Sequence, residues 1–348
     1  MITFVVNCEI HISVPLVLSP RHGSVEQNEK NPFSTHVQDL PDCPVQVHVN
    51  ICPPTFILLD PPLVTMNPYV EMARPWQWYK NIVAFLAIFF AGMLFDPHAV
   101  LSAVLTFFAL SLASSGMYVI NDILDVEKDR LHPKKRNRPL PSGRISISAA
   151  TLYGYVLVAA GLLLAYSVNV PTFLAVSALV INTVLYSLIF KRVAVLDVAV
   201  LALNFLFRTL AGVFAIGVYP SYWIIIVPYF TAVFLALLKR YGELQKTKEA
   251  RPSLQKYDEN TLRTLSAVTM GIVLALYVLY IFDSKLPHKT ITAAATLPLA
   301  VFTLFRWYND AMRDPDLAED AAKMVYDKWF LLGGAVWALV LFVVIYIL

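Results

Sequence analysis

The sequence predicts an all-α, polytopic membrane protein of about nine transmembrane helices. Of its 348 residues 58% are aliphatic, aromatic or cysteine and only 15% are charged. Apolar runs near the length of a membrane span recur along it, and basic charge alternates in phase with those runs. Charges this sparse cannot solvate a soluble globule of such length, so the bilayer is the expected solvent. A formal net charge of +3 gives no case for nucleic acid, because the location of basic residues says more than their sum.

The first 65 residues stand apart. They hold nine prolines, four of the seven histidines and all three cysteines, Cys8, Cys43 and Cys52, with a net acidic balance. Their apolar runs are too short to cross a bilayer, and no metal-like Cys/His spacing appears. Residues 1–65 are expected to form a poorly ordered extension without a secretory signal pattern, and Met66 is an alternative start. Residues 66–348 form the membrane domain.

A span needs about 20 mostly apolar residues. Such runs occupy approximately 82–95, 98–120, 147–167, 171–190, 195–217, 221–238, 264–282, 289–305 and 329–347. The first is short unless it begins near Trp76. Lys and Arg provide an independent check, because cytoplasmic loops accumulate them. The segments before the first span and after the second, fourth, sixth and eighth hold 22 basic residues between Arg74 and Lys328. The opposite loops hold two, Lys285 and Lys289. This places the Met66 end in the cytoplasm and Leu348 outside, and the expected location is the cell membrane.

Two basic clusters exceed what orientation requires. Seven Lys/Arg lie between Asn121 and Arg144, and seven between Lys239 and Arg263. Anionic lipid headgroups account for part of such an excess. The first cluster adjoins a more specific feature, Asn121-Asp122-Ile123-Leu124-Asp125-Val126-Glu127-Lys128-Asp129, at the cytoplasmic end of the second span. On one straight helix Asp122, Asp125 and Asp129 fall within about 60° of arc, with Asn121 adjacent. Stacked carboxylates near a membrane need neutralising. Mg²⁺ does so with hard oxygen ligands while substrate phosphates complete its octahedron. Asp122, Asp125 and Asp129 are therefore the expected metal ligands and catalytic centre. A solvated acidic helix end paired with Lys128 and Arg130 is the plainer alternative.

Next comes Arg130-Leu131-His132-Pro133-Lys134-Lys135-Arg136-Asn137-Arg138-Pro139-Leu140-Pro141-Ser142-Gly143. The prolines bend the chain so that its cations turn back toward the aspartates, forming a clamp for a leaving diphosphate. His132 reads either as a proton-transfer group or as a hydrogen-bonding spacer.

Asn121 to Asp129, followed by His132-Pro133, Lys135-Arg136, Arg138-Pro139 and Ser142-Gly143, resembles the first aspartate-rich motif of the UbiA superfamily of intramembrane prenyltransferases. The resemblance covers Met66 to Leu348 and implies nine helices around a central cavity open to the cytoplasm. Most members carry a second DxxxD-type motif after the sixth helix. Here that stretch reads Lys239-Arg240-Tyr241-Gly242-Glu243-Leu244-Gln245, a poor magnesium cradle but a good phosphate site.

With Arg74-Pro75-Trp76-Gln77-Trp78-Tyr79-Lys80-Asn81 at the first helix, this departure is similar to the branch containing decaprenyl-phosphate phosphoribosyltransferases. The resemblance implies Mg²⁺-dependent transfer of 5-phosphoribose from phosphoribosyl pyrophosphate to a polyprenyl phosphate. It places Mg²⁺ and pyrophosphate at Asp122, Asp125 and Asp129. Substrate contacts are expected at Lys80, Asn121, Lys135, Arg136, Arg138, Lys239, Arg240, Tyr241 and Glu243. Competing readings are prenyl transfer to an aromatic or other small acceptor, and a secondary transporter of an anionic metabolite.

Asp197 and Arg208, in the fifth span, lie too far apart to touch along a straight helix. Arg208 reads as a phosphate ligand or as a tie to a neighbouring helix, and Asp197 as a cavity-mouth residue or a similar tie. Trp76, Trp78 and Tyr79 are interface anchors. Gly212 and Gly217 are expected to serve close helix packing.

Overall fold

The computed structural model describes residues 66–133, 135–246, 253–284 and 288–348. The extension expected over 1–65, with its cysteines, lies outside the described residues, as do Lys134, Lys248, Arg251 and Lys285. Among the described residues the chain is helical without a strand, and eight helices are long and apolar enough to cross a membrane.

The first crossing segment is built differently from the others. After a six-residue helix, Pro68–Ala73, Arg74 takes the left-handed region at φ 51°. Pro75–Phe85 then winds as a 3-10 helix and runs into a short α-helix, α1, Leu86–Phe90. Eleven 3-10 residues and five α-residues, at about 2.0 and about 1.5 Å of rise each, reach roughly 30 Å, the hydrocarbon thickness. Nine apolar runs thus yield eight long helices, because the tighter winding lets a short run cover the distance.

The long helices are α2 (Pro97–Leu124), α3 (Ile147–Val168), α4 (Val170–Leu188), α5 (Leu196–Ala215), α6 (Tyr222–Lys246), α7 (Glu259–Asp283), α8 (Lys289–Arg313) and α9 (Lys328–Tyr346). Polar caps set their starts: Asp96 accepts from the His98 amide, Ser146 from Ala149, Asn169 from Thr172, Asp258 from Thr261 and Asp327 from Phe330. These bonds satisfy helix-end donors that lack intrahelical partners.

Small residues set the closest approaches. A Cβ added to Gly116 would stand 2.6 Å from the Gly154 carbonyl oxygen, and one at Gly161 2.6 Å from the Ala113 nitrogen, so α2 and α3 pack backbone to backbone. Gly212 meets the Ala84 backbone, seating α5 on the 3-10 segment. Gly217 does not serve packing as expected. It has φ +71° with nothing around its Cβ position and turns the chain after α5. A cavity of about 650 Å³ lies toward the end opposite the basic loops, between α1, α5, α6, α7 and α9. Phe90, Phe205, Trp223, Tyr280 and Trp337 are among its lining residues.

Candidate active site

The polar side chains singled out by sequence gather at the end of the bundle that carries the basic loops. There α2 stops at Leu124, Asp125 takes φ −101° and ψ 6°, and a separate helix, Val126–Leu131, follows. The single straight helix expected through Asp129 is therefore broken in two. Like charges three and four residues apart repel on a helix face, and here Asp125 takes a different partner from the other two. Asp122 and Asp129 keep buried side chains, 9% and 4% exposed, whereas that of Asp125 is 44% exposed.

Cations converge on the buried pair. Arg138 Nη1 stands 3.3 Å from Asp122 Oδ1 and 2.9 Å from Asp129 Oδ2. Arg74 Nη2 donates to both Asp122 oxygens, at 2.6 and 2.8 Å, and Lys135 Nζ lies 3.7 Å from Asp129. The proline-rich turn thus brings Lys135 and Arg138 back as expected, while Arg136 is exposed. Arg144 secures the turn by donating to Glu71 and to the Asn137 carbonyl, both at 2.8 Å. A polar pocket of about 230 Å³ borders Asp122, Arg74, Arg138 and Gln77.

Asp125 faces a different partner, Lys191 Nζ at 3.6 Å, at the far end of α4. Close by, the Ser187 hydroxyl donates to Asn121 Oδ1 at 2.8 Å. Lys80, on the 3-10 segment, has Lys239, Arg208, Arg74 and Asp320 within electrostatic range. Arg208 is buried and donates to Asn81 Oδ1 at 2.8 Å and to the Asn204 carbonyl at 3.0 Å. Its contacts are those of a tie to the neighbouring segment.

The residues expected to bind substrate beyond Lys239 are committed elsewhere. Arg240 is fully buried and donates to Asp197 at 2.7 Å, Glu243 at 2.6 Å and the Tyr186 hydroxyl at 2.9 Å. Asp197, also fully buried, further accepts from the Tyr257 hydroxyl at 2.8 Å and Ser253 at 3.2 Å. Burial pushes the pKa of the Tyr257 hydroxyl upward, so it stays a donor. Asp197 is therefore a structural tie and not a cavity-mouth residue. The Tyr241 hydroxyl accepts from Arg263 at 3.0 Å and donates to the Met312 carbonyl at 3.2 Å. Arg240, Tyr241 and Glu243 form internal ties because their partners lie within the fold.

Arg74 and Lys191 are additions: the sequence marks Arg74 only as the head of the first-helix stretch and Lys191 only as a topological charge, and neither was expected to contact the aspartates.

Asp122 and Asp129 aim at one cationic nitrogen. That suits a divalent ion taking one or two carboxylates from the protein and its other ligands from water and substrate phosphate. Among the described residues no cluster of three or more His, Cys, Asp or Glu is placed to hold a metal unaided. Of the expected trio, Asp122 and Asp129 share Arg138, while Asp125 stands beside Lys191.

Residues 82–332 match the family described as the UbiA prenyltransferase family. The chain belongs to this family. It is a membrane transferase, as the UbiA resemblance of Asn121 to Gly143 implied. It is 32% identical over 228 residues to the decaprenyl-phosphate phosphoribosyltransferase of Mycolicibacterium smegmatis, spanning 62% of this chain and 72% of that one. With the Mycobacterium tuberculosis protein of the same name it shares 30% identity over 256 residues, 71% of this chain and 85% of that one. A UbiA homolog from Archaeoglobus fulgidus, solved with GPP and Mg²⁺, superposes with a TM-score of 0.61 at 21% identity, over 78% of this chain and 100% of that one. The UbiA fold of this chain is thereby shown.

Proposed function

We propose that this UbiA-family transferase moves 5-phosphoribose from phosphoribosyl pyrophosphate to a polyprenyl phosphate. The reaction takes place at the cytoplasmic face of the cell membrane, with Mg²⁺ as cofactor. One observation carries the reading: among the described residues a two-carboxylate centre stands among cations, and the place of a second acidic cradle is filled by the sealed Arg240–Glu243 pair. Such a site suits two phosphorylated substrates. One brings pyrophosphate to the carboxylates and the other brings a phosphate nucleophile to the cations. The phosphoribosyltransferase relatives support the donor, and the apolar cavity supports a lipid acceptor.

An oxygen of the lipid phosphate attacks C1 of the ribose. The C1–oxygen bond to pyrophosphate breaks and its electron pair leaves with pyrophosphate. The nucleophile is already anionic, so no general base is required. Asp122 and Asp129 would hold Mg²⁺, which would supply charge neutralisation for the leaving group. Arg74, Arg138 and Lys135 bind its phosphate oxygens, and Lys80 and Lys239 hold the acceptor phosphate.

The test supplies purified protein with Mg²⁺, polyprenyl phosphate and either labelled phosphoribosyl pyrophosphate or labelled prenyl diphosphate with an aromatic acceptor. Label entering lipid from the first donor is expected. Label incorporated only from the second overturns the reading in favour of prenyl transfer, and Mg²⁺-independent accumulation of anion in vesicles favours transport.

A further inference from the structure

The chain segment that enters the bundle is laid along one face of α2. Ser111, Ser115, Tyr118 and Asp122 recur there at intervals of four, three and four residues, the spacing of a single helical stripe. Each meets the entering segment. The Asn81 side-chain amide donates to the Ser111 hydroxyl at 3.0 Å, and the Trp78 indole donates to the Ser115 hydroxyl at 2.9 Å. The Arg74 guanidinium lies 5.3 Å from the centre of the Tyr118 ring while it grips both oxygens of Asp122. Trp78, expected to anchor at the membrane interface, thus spends its N–H inside the bundle.

Ser115 is fully buried, and the directions of its two bonds are forced. An indole N–H only donates and a backbone carbonyl only accepts. The Ser115 hydroxyl therefore accepts from Trp78 and gives its own proton to the Ala73 carbonyl, at 2.7 Å. That carbonyl belongs to the peptide unit leading into Arg74, whose N–H donates to the Val70 carbonyl at 3.2 Å. With both polar groups held, the plane of this unit is fixed. Arg74 follows at φ 51° and ψ 57°, a left-handed conformation that a side-chain-bearing residue keeps only where its surroundings impose it. In any other conformation the turn would carry the guanidinium away from Asp122 and from the polar pocket that both residues border. We propose that Ser115 is a positioning residue of the transferase: by holding the Ala73 carbonyl it fixes the left-handed turn at Arg74 and so aims that guanidinium at Asp122 and at the phosphate bound beside it. The proposal rests on the reading of this centre as the pyrophosphate site and is independent of which group is transferred.

The test measures the binding of inorganic pyrophosphate with Mg²⁺ to the full chain in detergent by calorimetry, alongside the thermal midpoint of each variant. Ser115→Ala strands the Ala73 carbonyl and the Trp78 N–H, and the dissociation constant is expected to rise about tenfold. Trp78→Phe keeps an aromatic ring and removes only the donor that orients the Ser115 hydroxyl, and a rise of about threefold is expected. Arg74→Ala removes the guanidinium itself and should weaken binding about thirtyfold. In the Arg74→Ala background neither of the other changes should add more than about twofold, because a residue that acts through Arg74 has nothing left to position. Wild-type affinity in Ser115→Ala overturns the proposal. So do effects of Ser115→Ala and Arg74→Ala that multiply, which show a general loosening of the fold. Should Ser115→Ala fail to fold, the cycle of Trp78→Phe with Arg74→Ala decides: an effect of Trp78→Phe that is the same with and without Arg74 overturns the proposal. Wild-type protein that binds no pyrophosphate overturns the pyrophosphate reading and this inference together, whereas wild-type binding with multiplying effects overturns Ser115 alone.

Discussion

Asp122 and Asp197 are both aspartates gripped by arginine near the basic ends of membrane-crossing helices, and their surroundings give them opposite uses. Arg74 and Arg138, on Asp122, keep side chains 23% and 35% exposed, so water and incoming anions reach them. Arg240 and Asp197 are both 0% exposed. The first cluster can exchange one ionic partner for another during a reaction. The second cannot, because removing either partner strands a charge in low dielectric. Partner exposure, more than residue type, separates the reactive cluster from the structural one.

The strongest attempt to break this contrast is Asp122→Ala. Transfer of labelled phosphoribose should fall on the order of 10³-fold or more with thermal stability in detergent retained. Unfolding instead would make Asp122 another structural tie. Arg240→Met should do the reverse, lowering stability by about 3–5 kcal/mol through uncompensated Asp197 and Glu243. Thermal midpoints measure this, and adding Asp197→Asn should restore part of the loss.

Gly212→Ala presses a methyl into the Ala84 backbone of the segment that carries Lys80 and Asn81. A cost of about 1–3 kcal/mol is expected, with activity falling further than the thermal midpoint indicates. The smallest effect belongs to a half-buried pair. Arg306 donates to Asp327 at 2.6 Å and, with the Phe330 amide, holds that carboxyl below its usual range. A depressed folded value means the contribution is complete above the ordinary aspartate pKa of about 3.9 and is lost as pH falls through the folded value. The difference in midpoint between wild type and Asp327→Ala should therefore be constant near neutrality and shrink below about pH 4.

Much of the site was legible because its signals are local. The Asn121 to Gly143 motif names Asp122, Asp129, Lys135 and Arg138 within one short stretch, and the structure brings those four together. The break at Asp125 was not legible, since no proline or glycine lies between Asn121 and Asp129. It shows only through where the three carboxylates end up. Arg240 misled for a related reason: beside Lys239 it reads as a second phosphate cation, and its chief partner lies 43 residues earlier in the chain. Arg74, which comes 48 residues before Asp122, was missed in the same way.

Sequence by itself determined the all-α membrane class, the alternation of basic and neutral ends, and the position of the aspartate-rich motif. Hydropathy, charge count and helical period act over a few turns of chain and need no knowledge of neighbours. Tertiary structure alone decided which carboxylates stay together and which arginines remain open to solvent. Those outcomes depend on contacts between distant segments. The energy of a charge is set by whatever surrounds it after packing.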